Sequence, residues 1–187
     1  MNKQLWISLC LIAAMGQAQA SNQGVEYNIA KGLSPAVKDQ SISVLKPFNG
    51  DFRILGSKVY VDDEQAKFSP IDYAVSLGLF AQPEIARTIA VQQYDRFLNW
   101  KMTKLPVPPS QAIQMVSNMH IIPASPEIAK QITQVKRGDL VHLKGDLVEI
   151  RDKNLVWRSS LAPGGVGEGA CELFRVHSIQ WIEKEKI

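Results

Sequence analysis

Cysteine is scarce: the 187-residue chain has two, Cys10 and Cys171. Cys10 stands inside an apolar N-terminal run, so once that run is removed Cys171 is alone and no intramolecular disulfide can form, even in an oxidising compartment. Stability then has to come from packing, for which 187 residues at 45% hydrophobic suffice. Histidine is also sparse. His120, His142 and His177 show neither helical i, i+3 or i, i+4 spacing nor a CxxC motif beside them. They combine with Cys171 or Glu172 only on paper, and the sequence predicts no metal and no cofactor. Charge is not segregated: 21 basic residues face 18 acidic ones, and no four basic residues are consecutive. Lys136-Arg137-Gly138-Asp139 and Glu183-Lys184-Glu185-Lys186 interleave the signs as solvated faces do, so the clustered basic footprint of a nucleic-acid binder is missing. No apolar run reaches the roughly 20 residues of a spanning helix, and there is no internal repeat.

What is present begins at the N-terminus. Met1-Asn2-Lys3-Gln4 is a short basic region, Leu5 to Met15 an apolar run of about eleven residues, and Ala18-Gln19-Ala20 a small-x-small cleavage site. The pattern predicts a signal peptide over residues 1–20, a mature chain from Ser21, a periplasmic or secreted location, and no transmembrane segment after cleavage. Lipoprotein processing at Cys10 is disfavoured, because Leu9 rather than a small residue precedes it and the better cleavage site lies downstream.

Residues 21–50 are polar and broken by Gly24, Gly32, Pro35 and Pro47, which predicts a loosely ordered N-terminal segment. A single α+β domain is expected over 51–187. Phe52–Leu55 and Lys58–Val61, separated by Gly56-Ser57, read as two short strands or one bulged strand. Ser69-Pro70-Ile71-Asp72 carries the signals of a helix start, predicting helix to about Phe80, with a second short helix from Pro83 to Ala90. Gln93 to Met102 alternates with period two and predicts one strand, ended by the proline-rich Leu105–Pro109. Ser110 caps a short helix from Gln111 to about Val116, and Ser125-Pro126-Glu127 opens another to Val135, stopped by Arg137-Gly138. From Asp139 onward Leu140–Lys144, Asp146–Arg151, Leu155–Ser159 and Ala170–Ile182 read as strands. Val141, Leu143, Gly145 and Leu147 share one face through a glycine, which suits a sharply bent strand. The fold class expected is α+β: short helices on a strongly curved, mostly antiparallel sheet with a C-terminal β-meander, a partial small barrel.

The chemistry-bearing residues gather near WRSSLAPGGVGEGACELF, residues 157–174. Cys171, His120 and Asn118 supply a thiol, an imidazole and an amide, the residue types of a cysteine-dependent hydrolase or acyl transferase. Against that reading, Cys171 lies in an apolar segment with no cation or helix N-terminus to stabilise a thiolate, and a packing role is expected. Asn118 and His120 are two apart on an expected strand and share a face. Ser159 and Ser160 lack the glycines and strand-to-helix turn of a nucleophile elbow. Gly164, Gly165, Gly167 and Gly169 lack the lysine and following helix of a phosphate loop, which leaves a hairpin connection as the mouth of a site. His120 and Trp157 are expected in one neighbourhood, because each sits in an apolar segment with a polar handle that needs a partner when buried. The candidate ligand-binding residues are therefore His120, Trp157, Arg158, Ser159, Ser160 and Glu172.

Asn118-Met119-His120-Ile121-Ile122-Pro123-Ala124, Gly138–Val148, Trp157-Arg158-Ser159-Ser160-Leu161 and Gly167-Glu168-Gly169-Ala170-Cys171-Glu172 together resemble a family of uncharacterised exported or membrane-tethered proteobacterial proteins. The resemblance extends to Ser69–Ala74 and Arg96–Trp100 and covers roughly Phe52 to Val176. It implies kinship and carries no activity, cofactor or partner. The chain departs from it at Ala162-Pro163-Gly164-Gly165-Val166, where the family carries arginine and aspartate, so a role needing those charges is not expected of this chain. The function expected is a non-catalytic binding or accessory protein of the periplasm, taking a small ligand or another envelope protein. The alternative is an enzyme using Cys171 and His120.

Overall fold

The computed structural model describes residues 41–161 and 171–185. The expected signal peptide, residues 21–40 and the loop containing Gly164, Gly165, Gly167 and Gly169 lie outside them. The architecture is α+β. Its strands are β1 (Ile42–Val59), β2 (Ile71–Ser76), β3 (Ala90–Tyr94), β4 (Phe97–Lys101), β5 (Val116–Pro123), β6 (Leu140–Asp152), β7 (Leu155–Arg158) and β8 (Glu172–Glu183). Its helices are short: α1 (Pro83–Ala86), α2 (Pro109–Ala112) and α3 (Pro126–Ile132).

Six strands form one strongly curved sheet in the order β1-β2-β5-β8-β6-β7, and β1 also pairs with β6. The hydrogen bonds therefore run in a ring through β1, β2, β5, β8 and β6, a partial barrel in which only β5–β8 is parallel. β1 achieves this by serving two partners: Ile42 to Arg53 pairs with β6 and Arg53 to Val59 with β2. β6 does the converse on one edge. With β1 along its other side, it pairs first with β8 over Leu140–Leu147 and then with β7 over Glu149–Asp152.

Curvature of this kind needs positions where backbones can approach closely. Gly145 is one: a Cβ there would lie 2.0 Å from the Arg175 carbonyl oxygen, at the register shift between β6 and β8. A second shift falls between Ile54 and Gly56, so the two segments read around Gly56 are one bulged strand. Ring-facing side chains fill the interior with Phe52, Ile54, Ile71, Tyr73, Val75, Met119, Ile121, Val141, Leu143, Leu147, Phe174 and Val176. Helix α3 adds Ile128 and Ile132 to that core. It starts where its cap signal put it, Ser125 Oγ accepting from the Ile128 amide at 3.3 Å. It ends at Ile132 rather than Val135.

The segment between β2 and β5 covers the outer face of those two strands. Ala74 and Val116 on that face are buried with Leu55, Phe80, Ala86, Ile89 and Ala112, and Val91, Leu98 and Trp100 pack on them.

Several expectations need correction. Ile71–Ser76 is strand, not helix, and is buried at every position. The serine-proline-aspartate signal is local and weak against a ladder that buries Ile71, Tyr73 and Val75 in one core and Ala74 in another. Helix in this stretch is confined to a 3-10 turn at Gly78–Ala81 and to α1. Gln93–Met102 is not one strand but the end of β3, the turn and the second strand of the β3–β4 hairpin, with Asp95 and Arg96 at φ 45° and 68°. Two left-handed residues in sequence make the tight reversal favoured by right-twisted strands, and period-two alternation continues through it unmarked. The short helix after the prolines sits at Pro109–Ala112, and Val116 already belongs to β5. Ile42–Gly50, placed by its prolines and glycines in the loose segment, is the first half of β1. Gly145 bends β6 without dividing it.

Candidate functional site

His120 and Asn118 project from β5 onto the outer face, where the antiparallel register sets Asp72 opposite His120 and Ala74 opposite Asn118. All three polar side chains are buried, Asp72 completely. A buried carboxylate demands partners, and Asp72 finds them across the fold. Arg96 Nη1 donates to its Oδ1 at 2.8 Å and Asn118 Nδ2 to its Oδ2 at 3.2 Å. Arg96 spends its Nε and Nη2 on both oxygens of Asp63, at 2.9 and 2.8 Å, the bidentate geometry that suits a guanidinium. Its guanidinium also lies 3.7 Å from the Tyr60 ring centre, and its amide donates to the Tyr60 hydroxyl. Burial, then the Asp72 charge, pushes the Tyr60 phenol up to about 12, with Arg96 pulling the other way. Gln93 closes the cluster, donating to Asn118 Oδ1 at 2.9 Å.

His120 stands at the rim of this cluster. Its Nδ1 is 2.9 Å from Asp72 Oδ1 but lacks the alignment of a hydrogen bond. On its other side the ring meets Trp157, with centroids 4.7 Å apart at 49°. The expected His120–Trp157 neighbourhood is therefore present, on a face where β5, β8, β6 and β7 bury Ile122, Leu173, Val148 and Ile150 with Phe68.

Cys171 is half-buried and immediately precedes β8. Burial, then the charges of Glu172 and Asp72, pushes its thiol up to about 11, against an Asn118 side-chain hydrogen bond that pulls it down. Such a thiol is protonated at neutral pH, the opposite of what a nucleophile needs.

The serine pair has a structural task. Ser159 sits where the partner of β6 changes from β7 to β8. Its amide donates to Val148 O, its hydroxyl donates to Ser160 O at 2.8 Å, and Ser159 Oγ accepts from the Leu173 amide at 2.9 Å. Ser160 N donates to Cys171 O at 3.0 Å. The ends of the loop between them are thereby tied together. Glu172 is buried and accepts from the Ser117 hydroxyl. Arg158 lies apart from the cluster, paired with Glu149 at 2.5 Å; it and Arg151 hold the Glu149 carboxyl below its ordinary range.

Of the residues expected at a site, His120, Asn118, Trp157 and Cys171 are thus brought together, while Arg158 is not. Asp72, Arg96, Asp63, Tyr60 and Gln93 escaped the sequence reading. Asp72 carries the local signal of a helix start and Arg96 that of a strand, and neither signal points to an ion pair between them. His142 pairs with Asp51 at 2.6 Å and His177 with Asp146 at 3.0 Å, both part-exposed and away from His120 on their own strands. Among the described residues, no three His, Cys, Asp or Glu side chains group as metal ligands, and no helix is long and apolar enough to cross a membrane. No family model and no curated protein matches the chain.

Proposed function

We propose that this is an exported, non-catalytic binding or accessory protein of the cell envelope, a member of the family its motifs resemble. The observation that carries this reading is that the charged and amide groups beside His120 satisfy one another. Asp72, Asn118, Arg96, Asp63 and Gln93 spend their hydrogen bonds on one another, and the Cys171 thiol is pushed away from its reactive form. A thiol held protonated supplies little thiolate for a covalent step. A small, partly open five-stranded barrel is also a common binding platform, through the face of its second and third strands and the adjoining loops. That support is an analogy of architecture only. Here the corresponding face, on β2 and β5, lies under the β3–β4 hairpin.

A second reading, the cysteine-dependent enzyme, is favoured by the contact of Asn118 with Cys171 and by the Asp72–His120 pair on the same face. One experiment separates the two. The mature protein and its Cys171→Ala variant are used to capture components from periplasmic extract, identified by mass spectrometry. The binding reading expects the same ligand or partner with both. A species that forms a covalent adduct with Cys171, or that is turned over by the native chain and not by the variant, would establish the enzyme instead.

A further inference from the structure

Away from the cysteine, a cavity of about 160 Å³ opens between β1, α1 and the residues that flank β6 and β8. It is lined by Arg53, Arg87, Arg137, Gly138 and Glu185 around a floor of Ile54, Leu55, Pro83 and Ala86. A wider groove adjoins it, sharing Arg53, Arg87 and Glu185 and adding Glu183 and Lys184. Three guanidiniums and an ammonium against two carboxylates leave these walls with a surplus of positive charge.

The three arginines are not equivalent. Arg53 is 4% exposed and braced: Nε donates to Ala81 O at 2.8 Å, Nη1 to Gly138 O at 2.9 Å and Nη2 to Glu183 at 2.7 Å. A guanidinium has five N–H donors, of which these bonds use three, and Arg53 is among the residues that line the cavity. Arg87 and Arg137 are exposed and weakly engaged. Arg87 is 3.6 Å from Glu185, and Arg137 donates to Ile89 O at 3.4 Å. The chain's own carboxylates show what this chemistry accepts. Glu183 holds its oxygen on the buried arginine, while Glu185 folds over Gly138 beside Arg87. The Glu185 contact is long and solvent-exposed, the kind of pair that contributes little and is readily displaced.

We propose that this notch binds a phosphate group, with Glu185 as the intramolecular anion it displaces. A dianion matches the charge surplus better than a single carboxylate, and fork-shaped donors fixed on a braced arginine suit its oxygens. The cavity is below the roughly 300 Å³ of pockets that enclose a whole drug-sized ligand. The notch therefore takes the phosphate and the open groove takes whatever carries it.

Calorimetric titration of the mature protein at low salt tests this with three probes: inorganic phosphate, glycerol 3-phosphate and acetate. Both phosphate probes are expected to bind, more weakly as salt is raised, and acetate to bind much less. Binding of inorganic phosphate alone points to the free anion as the source, and tighter binding of glycerol 3-phosphate to a phosphomonoester of a larger molecule. The double variant Arg87→Ala/Arg137→Ala, at two exposed positions, is expected to keep its Tm and to bind about tenfold more weakly. Glu185→Gln is expected to bind severalfold more tightly. The proposal is overturned if neither phosphate probe binds the native chain or Glu185→Gln, if acetate binds as well as phosphate, or if the double variant binds undiminished. Should the double variant lose its Tm, the direction of the Glu185→Gln change decides.

Discussion

At the scale of single residues, surroundings decide what a side chain is for. Cys171 has no cation beside it among the described residues that would favour a thiolate, and burial with two nearby carboxylates pushes it from 9.0 up to about 11. Two pH units mean about a hundredfold less thiolate at neutral pH than an unperturbed thiol carries. Iodoacetamide should therefore alkylate the folded protein about a hundredfold more slowly than the urea-unfolded chain, with a rate still climbing near pH 11. Labelling of the native protein as fast as, or faster than, the unfolded one would return Cys171 to the list of nucleophiles. Cys171→Ala should cost about 1 kcal/mol, as loss of a small half-buried group does. Gly145 makes the complementary point about space. Its Cβ would need room already taken by the Arg175 carbonyl at 2.0 Å, and that neighbour is backbone inside a ladder and cannot swing away. Gly145→Ala should cost about 3 kcal/mol or more, read as a lower urea midpoint, whereas a variant as stable as the native chain would show that the β6–β8 bulge can relax.

At the scale of elements, the β3–β4 hairpin is held to the sheet by its turn. Arg96 occupies a left-handed position at φ 68° and reaches Asp72 on β2 and Asp63 in the loop after β1. Removing one member of a buried pair leaves a charge without compensation, a loss of about 3 to 5 kcal/mol, while replacing both can be nearly neutral. Arg96→Met should therefore destabilise strongly and Asp72→Asn/Arg96→Met much less, with a coupling energy above about 1 kcal/mol in a double-mutant cycle from urea melts. Additive losses would mean that Arg96 acts through its stacking on Tyr60 or its pair with Asp63 and not through Asp72. The serine pair has a comparable role, tying β7 to the start of β8 where β6 changes partner.

For the whole molecule, the raised groups make folding sensitive to alkali. A group whose proton is held more tightly in the folded state stabilises it fully below its ordinary value and loses that contribution as pH passes the raised one. Cys171 places this loss between pH 9 and about 11, and Tyr60 between 10 and about 12. The Tm should thus fall across pH 9 to 12, and Cys171→Ala should flatten the first part of the decline. A native profile flat to pH 11 would contradict the burial of both groups. The proposed export is tested on the complete chain. The envelope species should begin at Ser21, after Ala20, where small residues stand at the positions the peptidase reads; N-terminal sequencing that finds Met1 would place the protein elsewhere.

Much of the C-terminal half was legible from residues alone, because its signals are local. Alternation along Val141, Leu143, Gly145 and Leu147 reports which face is inside, and the glycine reports where the strand bends. Ser125-Pro126-Glu127 caps its helix within one turn. The meeting of His120 and Trp157 followed from the apolar segments that carry them, although they meet through their rings and not through their polar groups. What the residues could not announce are choices settled between distant segments. Ile71–Ser76 carries the marks of a helix start and became a strand because the ring offered burial for both its faces. Asp95-Arg96 lacks the glycine that usually marks so tight a turn, and Arg96 is held there by a carboxylate 24 residues away. Caps and periodicity act over a few residues and are written in the chain; pairing register and buried ion pairs exist only once the ring of strands has closed, and that closure alone decided where Asp72 and Arg96 would meet.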